Sequence, residues 1–337
     1  MELLQLVAGV AVGALLVYQV LLRWNEIWYQ WIVNKSLPLP PGTMGWPLIG
    51  ENISFQKLGP DFIADHQRRY GNMFKTHLFG NPVVVCTDSD VNKYVLTSES
   101  KGILLGYPRT FSEILGKWST FSLYGSEHKA MRGILISLVA GPALRERILP
   151  KIDEFMKSYL SNWSDKILDF EKKSDEKENL EIRKGKAEDY TINWDDYNSM
   201  SFTRAVVLEA LRMASAGIGF LRKTTVDTKI KGYIIPKGWT LLLRSVETNK
   251  DTDTYAEPLK FNPWRWLESN LESHQYFMLF GGGERLCPAK EFGVLQISMF
   301  LHYLVTRYRW EEVGENKIVR FPHVEAPNGL YYRFRDC

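Results

Sequence analysis

Residues 280–288 read Phe280-Gly281-Gly282-Gly283-Glu284-Arg285-Leu286-Cys287-Pro288. Three glycines in a row deliver a lone cysteine to the start of an apolar stretch with helical spacing, from about Lys290 to Arg307. Backbone N–H groups at a helix N-terminus and the helix dipole both favour negative charge. Both lower a thiol's pKa and stabilise its thiolate. An iron-bound thiolate needs this setting, because hydrogen bonds to sulfur tune its electron donation. A planar macrocycle also needs the chain to pass close beneath it, which calls for glycine. A phosphate loop would instead carry Lys followed by Ser or Thr. A nucleophilic cysteine would need a partner His, which sequence alone does not place. The loop reads best as a haem-binding turn with Cys287 as the iron ligand.

Nothing else in the cysteine pattern competes. Cys86, Cys287 and Cys337 are odd in number, far apart and without a C-x-x-C pair. A disulfide framework or a structural zinc site is excluded on that pattern, and a reducing compartment is implied. The chain has 337 residues, 45% hydrophobic and 24% charged, the composition of a folded protein with one large domain or two ordinary ones. Its net charge of +3 is scattered, so no nucleic-acid face is expected. Aromatics at 13%, with 11 Trp, suit a roomy apolar interior or a membrane contact.

The N-terminus reads as a membrane anchor. Residues 3–22 carry no charge, and a run of that length at ~1.5 Å per residue spans a ~30 Å hydrocarbon core. Arg23, Trp24, Trp28, Tyr29, Trp31 and Lys35 follow, the basic and aromatic residues of an interface whose downstream side is cytosolic. A cleaved signal peptide is the competing reading. Against it, Glu2 stands where a basic residue is wanted and no small-x-small cleavage site follows. Prolines 38, 40, 41 and 47 then stiffen a hinge that ends near Gly50, an ordinary linker or a tether that sets the body against the bilayer.

Downstream, residues 81–87 form a β-branched run bounded by turn residues, a strand in which Cys86 is a small buried hydrophobe. Residues 142–163 have helical spacing, with a kink or break expected at Pro150. Residues 165–189 are dominated by Lys, Glu and Asp and read as a solvated loop or exposed helix. Helical spacing returns over 194–214, and residues 231–243 read as strand, turn and strand. Histidines 66, 77, 274, 302 and 323 form no ligand spacing, and no internal repeat is found.

The 280–288 segment resembles the cysteine-ligand loop of the cytochrome P-450 superfamily, F-x-x-G-x-R-x-C-x-G, and matches at Phe280, Gly283, Arg285 and Cys287. It departs at the last position, where Ala289 replaces the usual Gly. The resemblance implies that Cys287 is the axial ligand of haem b and that Arg285 pairs with a propionate. Glu209-x-x-Arg212, alone no more than a common surface pair, then implies with Arg265 of Asn262-Pro263-Trp264-Arg265-Trp266 a buried triad. Residues 127–132 are similar to the family helix that reaches the haem edge, with His128 in place of the usual Trp and Arg132 retained. Leu221-Arg222-Lys223-Thr224 matches the stretch that places a cation, Arg222, near substrate and propionate.

Both ends of the chain are similar to plant brassinosteroid C-6 oxidases, on residues 194–206, 302–313 and 324–330. That implies a monooxygenase acting on a sterol-derived precursor, with electrons from NADPH through a flavoprotein reductase. It also implies a single-pass endoplasmic reticulum protein whose body lies in the cytosol. The implied fold is mainly α with minor β-sheets: an anchor at 1–23, a hinge at 24–50 and one haem-thiolate domain at 51–337. One family element is not found. The distal helix with its small-Gly-x-acid-Thr signature has no match, and Ala216-Gly217-Ile218-Gly219 lacks both acid and threonine. An internal deletion near 166–178 is therefore expected, and no distal catalytic pair can be named. The alternative is a catalytically inactive truncated or splice product that keeps the anchor and the haem loop.

Overall fold

The β-branched run at 83–85 seeds a sheet, as its residue types require. The computed structural model describes residues 9–20, 24, 27, 37–161, 167–168, 176–187, 190–214, 219–269, 271–274, 277–314, 317–319 and 326–337. Parts of the expected anchor and interface (1–8 and most of 21–36), most of the expected deletion junction (166, 169–175), and residues 216–218 lie outside them. The chain forms two units: Met1–Tyr107 with Ile218–Thr248, and Pro108–Gly217 with Asn249–Cys337.

The first unit is built on a five-stranded sheet of order β1-β2-β8-β5-β3. Strands β1 (Met73–Leu78) and β2 (Asn81–Cys86) form an antiparallel hairpin with Met73 opposite Cys86. Its turn places Phe79 at φ 55° and Gly80 at φ 72°, the left-handed pair that a two-residue hairpin demands. Strand β8 (Thr240–Leu243) runs parallel to β2 and is buried along its whole length. A parallel pair covered on both faces explains the unbroken apolar runs on these strands. Strands β3 (Ile103–Leu105) and β5 (Phe220–Thr224) complete the sheet. The strand–turn–strand expected over 231–243 divides between two sheets. β6 (Thr228–Ile230) pairs with β7 (Tyr233–Ile235), and Pro236 and Gly238 (φ 87°) redirect the chain into β8.

Helices α1 (Asn52–Leu58), α2 (Pro60–Tyr70), α3 (Ser89–Leu96) and α10 (Ser245–Thr248) belong to the same unit. The Pro-rich hinge, from Pro38 onward, is stapled to this unit. Ile234 N donates to Pro38 O at 3.0 Å and Lys75 N to Pro41 O at 2.8 Å. The Glu51 carboxylate receives the Thr43 and Thr76 hydroxyls at 2.8 and 2.6 Å and meets His66 at 3.3 Å. Burial would raise this carboxyl, yet those three partners hold it below the ordinary Glu value. Residues 9–20 are helical with exposed apolar side chains. Among the described residues no helix is long and apolar enough to cross a membrane.

The second unit is mostly helical: α4 (Arg109–Leu115), α5 (Gly125–Val139), α6 (Leu149–Leu160), α7 (Glu176–Arg183), α8 (Trp194–Ser199), α9 (Ser201–Ala214), α11 (Trp264–Glu268) and α12 (Lys290–Arg307). A small antiparallel sheet joins β4 (Ile167–Leu168), β10 (Tyr332–Asp336) and β9 (Tyr308–Glu312). The break expected near Pro150 is present. A π-helical turn at Ala143–Ile148 ends where α6 starts, with Pro150 in its first turn, where no N–H is missed. The face Leu149, Ile152, Met156 and Leu160 packs with Leu295, Met299 and Tyr303 of α12 as one core. The 194–214 stretch is two helices, parted at Met200 (ψ 51°).

The charged segment forms a helix, α7, one of its two expected forms, but that helix is partly buried. Its Glu178 accepts Phe202 N and Thr203 N at 2.8 Å each and so caps α9. Asn179, fully buried, donates to Thr203 Oγ1 at 2.9 Å and meets His302 Nδ1 at 2.8 Å. Beside Ile182, which packs on the core, these are polar contacts that a hydrophobic pattern cannot reveal.

Candidate functional site

Gly281 (φ 82°) and Gly283 (φ 62°) take the left-handed conformation that only glycine adopts without strain. They fold residues 280–287 back on themselves, and Cys287 N donates to Phe280 O at 2.9 Å. The Phe280 ring packs with Val207, Leu208 and Val294, which ties the loop to α9 and α12. Lys290 Nζ lies 6.0 Å from the Phe280 ring centre. Cys287 is a free, half-buried thiol.

Helix α12 starts where the sequence reading places it. The helix begins at Lys290 with Ala289 as its N-cap, so Cys287 sits two residues ahead of the cap. Pro288 is the reason, since the residue before a proline is driven out of the helical region. Ala289 has φ −100°, an ordinary value, so alanine in place of the family's usual glycine carries no backbone strain.

Two arginines converge on the loop. The Arg285 guanidinium donates to the carbonyls of Thr120 and Leu123, the latter at 2.8 Å, and lies 5.3 Å from the Tyr124 ring centre. Arg132 of α5 donates to Leu286 O. One helical turn back, His128 is the only buried residue of α5. Cys287, Arg285, Phe280, Gly283, Arg132 and His128 are thus all in the second unit. Arg222 belongs to the first, buried on β5 with its Nη1 donating to Leu221 O at 3.1 Å.

The Glu209 pair is no surface salt bridge. Glu209, Arg212 and Arg265 are 0%, 1% and 7% exposed. Arg212 grips the carboxylate through Nη2 at 2.8 Å and Nε at 2.9 Å, and Arg265 Nε adds a bond at 3.2 Å. Two partners went unseen in the sequence: Asn262 N and the indole Nε1 of Trp266, each donating at 2.9 Å. The aromatic run 261–266 was the available signal. Burial pushes the Glu209 carboxyl up, but the bonds from Arg212, Asn262 and Trp266 outweigh it and hold the carboxyl below its usual value. The outward guanidinium nitrogens are also filled, Arg212 Nη1 by Asn249 O and Pro258 O at 2.7 and 2.8 Å. A buried charge group held this completely fixes the segment 249–266 against α9.

Burial separates the other two cysteines from Cys287. Cys86 is fully buried in β2, and burial pushes its thiol far above the ordinary range, so it stays protonated and inert. Cys337 is exposed, with Arg309 Nη1 2.9 Å from its sulfur. Among the described residues no cluster of His, Cys, Asp or Glu could hold a metal ion. A group whose metal takes one protein thiolate fits the residues present: a half-buried free thiol, a close-approach glycine turn, and two arginines that each donate to a backbone carbonyl.

The family model described as Cytochrome P450 matches residues 175–329. The chain is 36% identical over 464 aligned residues to "Cytochrome P450 85A1" of Oryza sativa subsp. japonica, covering 97% of this chain and 98% of that protein. It is 33% identical over 466 residues to "Cytochrome P450 85A2" of Arabidopsis thaliana, covering 99% of each. It is 30% identical over 437 residues to "3-epi-6-deoxocathasterone 23-monooxygenase CYP90D1" of Arabidopsis thaliana, covering 86% and 88%. Among solved structures, retinoic acid-bound cyanobacterial CYP120A1 superposes with a TM-score of 0.77 at 20% identity, over 90% of this chain and all of that one. That likeness is one of fold.

Proposed function

The chain belongs to the cytochrome P450 family and is by that membership a monooxygenase, and on that premise we propose that its substrate is a sterol-derived precursor of the brassinosteroid class. The observation that carries the reading is the 36% identity to the 85A1 protein along 97% of the chain. The relative whose name gives 3-epi-6-deoxocathasterone as substrate supports the same class.

Haem iron, when bound, supplies the activation of dioxygen. This chain's residues would hold it as follows. Cys287 would ligate the iron as its thiolate, and the left-handed glycines would allow close approach to the backbone there. Arg285 and Arg132 would hold the carboxylates of the group, with His128 beside Arg132 on α5. The triad keeps the loop's support rigid. Electrons come from NADPH through a flavoprotein reductase. The apolar run 3–22 anchors the chain in the endoplasmic reticulum membrane, with the rest in the cytosol.

An internal segment that includes the distal helix is missing from this chain. Support comes from the alignments, which span 464 and 466 residues against a chain of 337. The exposed apolar side chains of α4 and α5 are a second support. A catalytically inactive product draws no support from the comparisons. The test is incubation of the purified, haem-loaded chain with a brassinosteroid precursor, reductase and NADPH, scoring oxidised sterol by mass spectrometry. An oxygenated product sustains the substrate class; a fully haem-loaded chain that oxidises other lipids and no sterol rejects it.

A further inference from the structure

Gly281, Gly282 and Gly283 have no side chains with which to hold the Cys287 loop, so its place is set largely from its two ends. The entry is Phe280, whose ring packs with Leu208 and Val294. The exit is Lys290, the first residue of α12. The two ends meet. Lys290 Nζ lies 5.0 Å from the Phe277 ring centre and 6.0 Å from that of Phe280, both within the range of a cation–π contact. The same ammonium bonds Glu272 Oε1 at 2.7 Å.

Glu272, on the short 3-10 turn Leu271–Ser273, is itself fixed. Arg204 of α9 grips its carboxylate through Nη2 at 2.6 Å and Nε at 3.2 Å, and reaches Glu291 Oε2 at 3.1 Å. Tyr197 Oη accepts from Arg204 Nη1 at 3.3 Å. A route therefore runs from α9 through Arg204, Glu272 and Lys290 to the ring that opens the loop. Burial pushes the Glu272 carboxyl up, but the bonds from Arg204 and Lys290 hold it below its usual value, so the cluster is charged at neutral pH.

An ordinary surface ion pair does not account for this lysine. Exposed pairs contribute little, but the side chains of Lys290, Arg204 and Glu272 are only 20%, 27% and 28% exposed. Helix physics also disfavours a cation at this position, because the N-terminal end of a helix is its positive end. Lys290 thus costs α12 a little, and its shortest contact leads off the helix, to Glu272. Arg285 and Arg132 also touch the loop, but they are the residues assigned to the carboxylates of the bound group. Lys290 is the tie that is left to the loop itself.

We propose that Lys290 is a positioning residue for Cys287. Clasped between Glu272 and the rings of Phe277 and Phe280, it closes the exit of the loop onto its entry and so fixes where the sulfur stands. The purpose of the clasp rests on the haem-thiolate reading, whereas the clasp itself belongs to the chain with or without haem. Arg204, Glu272 and Glu291 border a cavity of about 360 Å³, so dissolved salt reaches the cluster and weakens it.

The test compares the full chain in mild detergent with three variants. Lys290→Met keeps an unbranched stem without the charge, Lys290→Arg keeps the charge, and Glu272→Gln weakens the clasp from its other side. Amide exchange of the haem-free protein reads the clasp through the Cys287 N–H that bonds Phe280 O. Loss of a partly buried cation should speed that exchange about tenfold in Lys290→Met, with α9 unchanged. In the haem-loaded variant, reduced and exposed to carbon monoxide, part of the red-shifted thiolate-type band should pass to the band of haem without a thiolate. Lys290→Arg should restore both readouts. Glu272→Gln should give smaller changes of the same sign, and decides the matter if the methionine variant fails to fold. High salt should move the wild type towards Lys290→Met and leave Lys290→Met where it is. Wild-type exchange and a wild-type band in Lys290→Met overturn the proposal. So does faster exchange in α9 and the loop alike without rescue by arginine, the mark of an ion pair that serves the fold alone. A wild type that takes up no haem would fail the haem reading, and exchange at Cys287 would still decide for or against the clasp.

Discussion

Two pairs of arginines in the second unit satisfy their charge in opposite ways. Arg212 and Arg265 face a carboxylate, Glu209, with every oxygen of that group engaged and almost no water contact. Arg132 and Arg285 donate to backbone carbonyls at the edge of the Cys287 loop. A buried carboxylate adds a full Coulomb attraction to each guanidinium bond, which a neutral carbonyl does not. The first pair is therefore a lock that costs the fold dearly if broken. The second can be drawn away by an arriving anion with little disturbance. Structure and ligand capture are served by the same residue type, and the acceptor decides which.

The sharpest way to break this comparison is at its chemical centre. Cys287→Ser is expected to abolish entirely the red-shifted, thiolate-type Soret band that the reduced chain gives with carbon monoxide. It should do so without changing far-UV circular dichroism, because Cys287 supports ligation and not the core. Cys86→Ser should keep the band. If the band followed Cys86 instead, the loop would not be the iron site.

The lock should respond the other way. Glu209→Ala leaves two buried guanidinium groups beside an empty acceptor, and about 3–5 kcal/mol of stability should be lost. Urea unfolding at neutral pH measures it, and a cost below 1 kcal/mol would mean that the triad is dispensable. Trp266→Phe sharpens the same point on a smaller scale. It keeps the ring packed against Phe277, 5.6 Å away, and removes one donor from the carboxylate. A hydrogen bond to a charged group is worth about 1.5–3 kcal/mol. That cost should vanish in a Glu209→Ala background, since the two residues share one acceptor.

Much of this was legible in residue order. The Lys290–Arg307 helix was readable because its apolar pattern is long and free of breakers. The Asn81–Cys86 strand was readable because β-branched residues are bounded by turn formers. The Cys287 loop and the Glu209-x-x-Arg212 pair were legible as spacing, but burial of the pair was legible only through the resemblance, since an i, i+3 ion pair reads alike on a surface and in a core. The helix at α7 was one of two readings, but its burial at Asn179 was not legible because that contact is polar, and the division of 231–243 was not because pairing partners lie outside the local string. Trp266 was in plain view, yet its indole role depends on a carboxylate 57 positions away.

His302 stands between the two arginine groups in kind, half satisfied and wholly buried. Its Nδ1 meets Asn179 Oδ1 at 2.8 Å, while its Nε2 has no hydrogen-bond partner. Burial, with Arg183, Lys186 and Arg307 nearby and only Asp196 opposing, pushes its pKa down to about 3. The sign of the pH effect follows. Above pH 6.5 the residue is neutral in both states and contributes no pH dependence. Below 6.5 the unfolded chain takes up a proton that folded His302 refuses, so stability falls as pH falls, down to about 3, by up to about 1.4 kcal/mol per unit. The depressed carboxyls of Glu51, Glu209 and Glu272 act in the same direction, but only below the ordinary Glu range. The window from 6.5 to 5 therefore isolates histidine, and there His77 of the first unit, also lowered by burial, is the competing contributor. His302→Gln retains an amide for Asn179 and has no proton to gain. It should flatten the loss of stability across that window, whereas His77→Gln should remove a smaller part of it. Urea midpoints at pH 7, 6 and 5 for the two variants decide the matter. A wild-type slope left intact in His302→Gln would mean that water reaches Nε2 and the residue protonates in place.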